Sequence, residues 1–166
     1  MRPALLDPLF APVESLPGVG PKLGVLIAKL TGRDEGEEAR VLDLLFLGPH
    51  SLIDRREQPE IAFAKEGGVV TIKGWVDRHQ PPPRGNRAAP YRIFLRDGTG
   101  ELALTFFHAK GDWLERALPI DEEVMVSGKV DWFNGRASMV HPDYIVKVSE
   151  ADNLPLVEPV YPLTAG

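Results

Sequence analysis

YRIFLRDGTGELALTFFH, residues 91–108, is the stretch that decides the fold of this chain. Two runs, Tyr91–Arg96 and Glu101–Phe107, alternate apolar and polar side chains around Asp97-Gly98-Thr99-Gly100. A period of two, rich in aromatic and aliphatic residues, predicts half-buried strands, and the Asp-Gly step predicts a hairpin turn. Neighbouring strand residues point to opposite faces, so Leu102, Leu104 and Phe106 are assigned to the interior and Ala103, Thr105 and Phe107 to the other face. An outward aromatic beside Arg92 and Arg96 is a platform on which a nucleic-acid base can stack.

Outward from the hairpin the spacing stays regular. Val69–His79 is predicted as a long strand interrupted by Gly74, and Gln80–Pro90 as a loop rich in Pro, Gly and Arg. Lys110–Leu118 is predicted as a short helix closed by Pro119, and Glu123–Trp132 as a fourth strand. After the turn Phe133-Asn134-Gly135, Arg136–Val148 is a fifth strand broken at His141-Pro142. The order is strand, strand, strand, helix, strand, strand. It predicts a mainly β fold, a five-stranded Greek-key OB-fold barrel over residues 61–150. Mid-strand Gly74 and Gly128 suit the bulges or close approaches that coiling strands of a small barrel need. Trp75, Trp132 and Phe94 are expected in the core or at the barrel mouth.

Residues 1–60 read as a small N-terminal helical subdomain. Lys22–Leu30 follows the turn cluster Ser15–Pro21, and Ala39–Leu47 is stopped by Gly48-Pro49. Leu16-Pro-Gly-Val-Gly-Pro-Lys22 is like half of a helix-hairpin-helix, in which Gly18, Gly20 and Lys22 would offer N–H groups and charge to a phosphate. A glycine turn that merely packs a helical pair explains the same residues. Residues 151–166, with Pro155, Pro159 and Pro162, read as an extended C-terminal linker, and the chain as the front piece of a larger protein.

The 166 residues carry a net charge of −5, which argues against a generally basic nucleic-acid binder. Within residues 70–100, however, Lys73, Arg78, Arg84, Arg87, Arg92 and Arg96 face only Asp77 and Asp97, a local net of +4. Such a stripe on an acidic body can steer a phosphate backbone, or it can be no more than a solvated face. No cysteine is present, so disulfides and thiolate metal sites are excluded. The four histidines lack metal-ligand spacing. No apolar run reaches the length of a membrane span, no signal peptide is evident, and the cytoplasm is the expected compartment. Gly18–Gly24 includes Lys22 but not the spacing of a nucleotide phosphate loop, so the chain by itself is not expected to be an enzyme or to need a cofactor.

The pieces Leu16–Lys22, Asp43-Leu-Leu-Phe-Leu-Gly-Pro49, Ile53-Asp-Arg55 and Arg96-Asp-Gly-Thr-Gly100 recur in order with Leu104-Thr-Phe-Phe107, Val126-Ser-Gly-Lys-Val130, Met139-Val-His-Pro-Asp143 and Val160-Tyr-Pro-Leu-Thr164. Together they resemble the N-terminal wedge region of RecG, the bacterial ATP-dependent DNA helicase family that remodels stalled forks and Holliday junctions in repair and recombination. The resemblance implies that the partner is branched DNA, that Phe107 stacks on the base pair at the junction, and that helicase motor domains follow the linker. ATP and Mg would belong to those motor domains. The family's second aromatic corresponds here to Gly111, with Trp113 the nearest aromatic side chain. Candidate backbone contacts are Arg78, Arg84, Arg87, Arg92 and Arg96, with Gly18, Gly20 and Lys22 from the N-terminal turn. The competing readings are a free-standing OB module for single-stranded DNA or tRNA, and a protein-docking scaffold with solvated arginines.

Overall fold

The computed structural model describes residues 3–83, 85–86, 88–108 and 110–164. The chain forms two compact units, residues 53–158 and residues 1–52 with 159–166.

The larger unit holds the barrel. Val69–Gln80 (β2), Tyr91–Arg96 (β3), Glu101–Phe106 (β4), Glu123–Phe133 (β5), Arg136–Val140 (β6) and Tyr144–Lys147 (β7) form one sheet in the order β2-β3-β4-β6-β5-β7, closed by a further β2–β5 pairing. Strand β2 serves both edges. Its first half pairs with β5 from Val69↔Lys129 to Trp75↔Glu123, and its second half pairs with β3, with a bulge between Val76 and Arg78. Strands β4 and β6 run parallel and the other pairs antiparallel, the Greek-key closure expected from the strand order. β6 and β7 are one bent strand lying along β5, broken at His141–Asp143, as the His-Pro step predicts.

Two glycines permit this coiling. A Cβ on Gly74 would stand 3.0 Å from the Arg96 carbonyl oxygen, and one on Gly128 would meet Met139 Sδ at 2.9 Å and Pro142 Cα at 3.1 Å. The interior is filled by Ile72, Ile93, Leu95, Leu102, Leu104 and their neighbours. The helix Gly111–Ala117 contributes the fully buried Leu114 and is followed by the equally buried Leu118.

The β3–β4 hairpin keeps the register read from the sequence, Tyr91↔Phe106 to Arg96↔Glu101. Its turn is made differently. None of residues 97–100 has a positive φ; instead the Asp97 carboxylate accepts N–H bonds from Thr99 (2.7 Å) and Gly100 (2.9 Å) and the Thr99 hydroxyl (2.7 Å). It also accepts the Ile61 N–H at 2.7 Å, tying the one-turn helix Ile61–Phe63 to the barrel. Burial pushes the Asp97 carboxyl up, but these donors outweigh it and hold it below the usual carboxylate range. Their stabilisation is full above the unfolded value near about 4 and is lost as pH falls through the lowered folded value. Asp97→Ala is expected to be about 1–3 kcal/mol less stable at neutral pH, with the gap closing in acid. Urea unfolding across pH tests this; a gap unchanged down to about pH 2 contradicts it.

The smaller unit begins with a seven-residue 3-10 helix, Ala4–Phe10, and a single 3-10 turn, Val13–Ser15, followed by α1 (Pro21–Leu30) and α2 (Val41–Leu45). Pro21 at the first position suits α1 because its missing N–H would be unpaired there anyway. Gly24, Ile27 and Ala28 form the buried face of α1, at the helical spacing of three and four. Ile27 and Ala28 pack with Val13 and Ala39. Arg33 clasps Asp43 of α2 through three hydrogen bonds of 2.6–3.0 Å, and this contact holds the Asp43 carboxyl low.

Residues 1–60, read as helical, also contain a strand, Ser51–Asp54 (β1). It pairs with Val157–Val160 (β8) inside the stretch read as a linker. Both strands are only four residues long, too short to show alternation in sequence, and Pro159 masks the second. The unit boundaries fall within these two strands, at 52/53 and 158/159, rather than at 60 and 150. No described helix is long and apolar enough to cross a membrane.

Candidate nucleic-acid interface

The end of β4 separates the two adjacent phenylalanines. Leu102 and Leu104 are fully buried and Phe106 is 4% exposed, whereas Phe107 is 43% exposed. Ala103 and Thr105, assigned to the outer face, are half-buried and buried, so that face is partly covered toward Phe107. After Phe107 the chain reverses at His108, whose φ is +58°, and enters the helix Gly111–Ala117. Phe107 is not left free. Its N–H donates to His141 Nε2 at 3.1 Å, and its ring lies 5.9 Å from the His141 ring, tilted by 36°. His141 is held in turn by its own N–H to the Thr105 carbonyl (3.0 Å) and by the Phe106 ring edge.

The basic stripe is partly spent within the chain. Arg78 donates to Asp77 (2.8 Å) and Glu101 (2.6 Å) and lies 3.8 Å over the Phe94 ring. Arg96 pairs with Asp77 at 3.3 Å, and Lys73 with Glu123 at 3.0 Å. Arg92 is exposed, makes no ion pair with described residues, and stands opposite Thr105 on the same side of the hairpin as Phe107. Arg96 stands at the other end of the hairpin, opposite Glu101, about 20 Å along the strand from Phe107. The hairpin therefore brings together Phe107 and Arg92 but not Arg96. Arg84 and Arg87 lie outside the described residues.

Residues 70–147 match the family model described as OB-fold nucleic acid binding domain, of the tRNA anti-codon type. The barrel has the OB-fold that this family model describes. The chain is also similar to the ATP-dependent DNA helicase RecG of Aquifex aeolicus (strain VF5), at 28% identity over 156 residues. The match covers 94% of this chain and 18% of that helicase. A solved structure of RecG bound to a three-way DNA junction superposes with a TM-score of 0.61 at 25% identity, over 94% of this chain and 20% of that one. An Entamoeba histolytica asparaginyl-tRNA synthetase superposes with a TM-score of only 0.43 at 16% identity, over 55% of this chain and 23% of that one. The resemblance to the RecG wedge region is thus met in both sequence and structure. The chain spans about a fifth of the RecG relatives it matches.

Gly111, where the resemblance implies a second aromatic, is packed against the barrel. A Cβ there would lie 3.3 Å from the Tyr91 ring, which is 6% exposed. Tyr91 is fixed by a 3.0 Å hydrogen bond from its hydroxyl to His79 Nδ1, while His79 Nε2–H donates to the Leu118 carbonyl at 2.7 Å. His79 is accordingly a satisfied structural histidine. Trp113 is half-exposed on the helix Gly111–Ala117.

Gly18, Gly20 and Lys22 lie in the smaller unit. Gly18 has φ +85°, Gly20 is the residue before α1, and Lys22 is exposed. Gly24 is packed against the Glu14 side chain, with Oε1 2.6 Å from an added Cβ. Among the described residues no cluster of His, Asp or Glu is placed to hold a metal.

Two placements escape the sequence reading. Trp75, expected in the core or barrel mouth, is 48% exposed in an open groove beside Lys73, Gly74, Arg96 and Asp121. It shares the outer face of β2 with Lys73, alternating with the buried Ile72, Gly74 and Val76. Trp132 is partly buried and donates its indole N–H to the Ala64 carbonyl at 2.8 Å, as a core residue should. The role of His141 beneath Phe107 was likewise invisible. The His-Pro step signals the break but not what the ring touches.

Proposed function

We propose that this chain is the branched-DNA-binding wedge of a RecG-like ATP-dependent DNA helicase, acting at replication forks and Holliday junctions in recombination and repair. The observation that carries this reading is Phe107, exposed at the end of β4 while its neighbour Phe106 is buried, on a barrel that superposes on junction-bound RecG. Opening a base pair loses stacking worth about 1–2 kcal/mol per step. An aromatic face that replaces the lost stack returns about 1–3 kcal/mol per base. A rigid barrel presenting Phe107, with Arg92 beside it on a phosphate, can therefore hold a junction open. Arg84, Arg87, Trp113 and the Gly18–Lys22 turn are further candidate contacts. Pulling the duplex onto the wedge requires ATP chemistry, which we assign, with its Mg, to motor domains outside this chain, acting in the cytoplasm.

Because Arg78 and Arg96 are engaged internally, phosphate contacts should be few, about 2–4, giving a slope of log affinity against log salt of roughly −2 to −4. Fork, Holliday junction, duplex and single strand titrated at two salt concentrations test the reading. Fork and junction should bind tightest, with the salt slope common to all. Equal affinity for single strand and fork would instead favour a free-standing single-strand module, and salt-independent failure to bind any DNA would favour a protein-docking scaffold.

A further inference from the structure

We propose that His141 is the positioning residue of the wedge, holding Phe107 in the pose that meets the junction; the inference rests on the wedge reading of Phe107. Phe107 lies just beyond the last ladder residue of β4, where a side chain would normally swing on a loose main chain. Two contacts prevent this, and both come from His141. The Phe107 N–H can only donate, so His141 Nε2 must be the acceptor and the ring proton must sit on Nδ1. The two rings also lie side by side, with centroids 5.9 Å apart and planes tilted by 36°, while Phe107 keeps 43% of its surface exposed for a base.

The backbone is bent to make this arrangement. His141 has φ +46° and precedes Pro142, although a residue before proline is normally extended and a non-glycine residue rarely adopts positive φ. His108, on the other side of Phe107, is also left-handed at φ +58°. Strained residues persist where surrounding contacts over-determine them, and such strain gathers at functional sites. Here the contacts are the His141 N–H to the Thr105 carbonyl and the T-shaped packing of its ring on Phe106. A chain of contacts thus runs from the buried Phe106 through His141 to the exposed Phe107. It keeps the wedge aromatic ordered before DNA arrives, so less freedom is lost on binding.

The test compares His141→Phe, which keeps a ring but no acceptor, with His141→Gln, which keeps an acceptor at similar reach. Both place a non-glycine side chain at the positive φ of residue 141, and thermal unfolding of each variant separates any difference in strain from the loss of the hydrogen bond. The 166-residue chain is titrated with a fork carrying 2-aminopurine at the branch and with plain duplex, alongside Phe107→Ala. His141→Phe should lose about 5-fold in fork affinity and much of the 2-aminopurine stacking signal, with duplex affinity unchanged, while His141→Gln stays near wild type. If Phe107→Ala loses fork affinity but His141→Phe does not, or if His141→Gln fails equally, the positioning role is overturned while the wedge stands. If Phe107→Ala binds forks like wild type, the wedge reading itself fails and the positioning role with it. Nitrogen NMR of the wild-type ring decides the matter even if a variant does not fold. Nε2 should be unprotonated and the Phe107 amide slow to exchange; a proton on Nε2 at neutral pH overturns the proposal.

Discussion

Phe106→Ala is expected to lose about 3–5 kcal/mol of stability, and Phe107→Ala about 1 kcal/mol or less. The two residues are neighbours of the same type, and only burial distinguishes them, 4% exposed against 43%. Removing the Phe106 ring empties space between Tyr91, its partner across the hairpin, and the barrel interior, and withdraws the edge on which His141 rests. Removing the Phe107 ring leaves a half-exposed position that water can fill. In DNA binding the order reverses. Phe107→Ala should lose about 1–3 kcal/mol at a fork and far less on plain duplex, because only the fork offers an unstacked base. Thermal unfolding of both variants, paired with fork and duplex titrations of folded protein, checks the claim. Unfolding of Phe107→Ala with Phe106→Ala intact would mean the strand register is shifted by one residue.

The second large effect is expected at Arg55. Its side chain is 1% exposed, yet Nη2 reaches Glu158 at 2.8 Å and Asp143 at 3.1 Å, and Nη1 donates to the buried Ser127 hydroxyl at 3.0 Å. The guanidinium also stands 4.8 Å from the centre of the Tyr144 ring, while its Nε has no hydrogen-bond partner. A buried cation with an incompletely satisfied donor set depends on its two carboxylates. Deleting both, as Asp143→Ala with Glu158→Ala, should destabilise the larger unit by about 3–5 kcal/mol, since an uncompensated charge remains in the interior. Arg55→Leu should cost less. It removes the charge itself and leaves carboxylates that are 47% and 36% exposed and can hydrate. Urea midpoints of the two variants give the comparison. A larger loss for Arg55→Leu would show that the arginine contributes net attraction rather than a burden the carboxylates relieve.

The barrel was legible because its signals are local. Period-two alternation marks β3 and β4 and, through burial, fixes which side of each strand enters the core. Gly74 and Gly128 announced close approaches, and the His141-Pro142 step announced the bend between β6 and β7. Signals weakened where elements are short. The four-residue strands Ser51–Asp54 and Val157–Val160 find each other across more than 100 residues of chain, and no local pattern encodes that pairing. Charge was read correctly as composition and incompletely as availability, because counting Arg78 and Arg96 as free required ignoring Asp77 and Glu101, which the strand pairing brings beside them.

By itself the sequence determined the strand order, the hairpin register, the inward Phe106 and the outward Phe107, since each follows from neighbours a few positions apart and from the steric demands of the chain. Only the tertiary structure decided what those side chains meet. It placed His141 against Phe107, spent two of the stripe's arginines on carboxylates and buried Arg55. Contacts between residues far apart in sequence depend on how the barrel closes, and closure is a property of all its strands together.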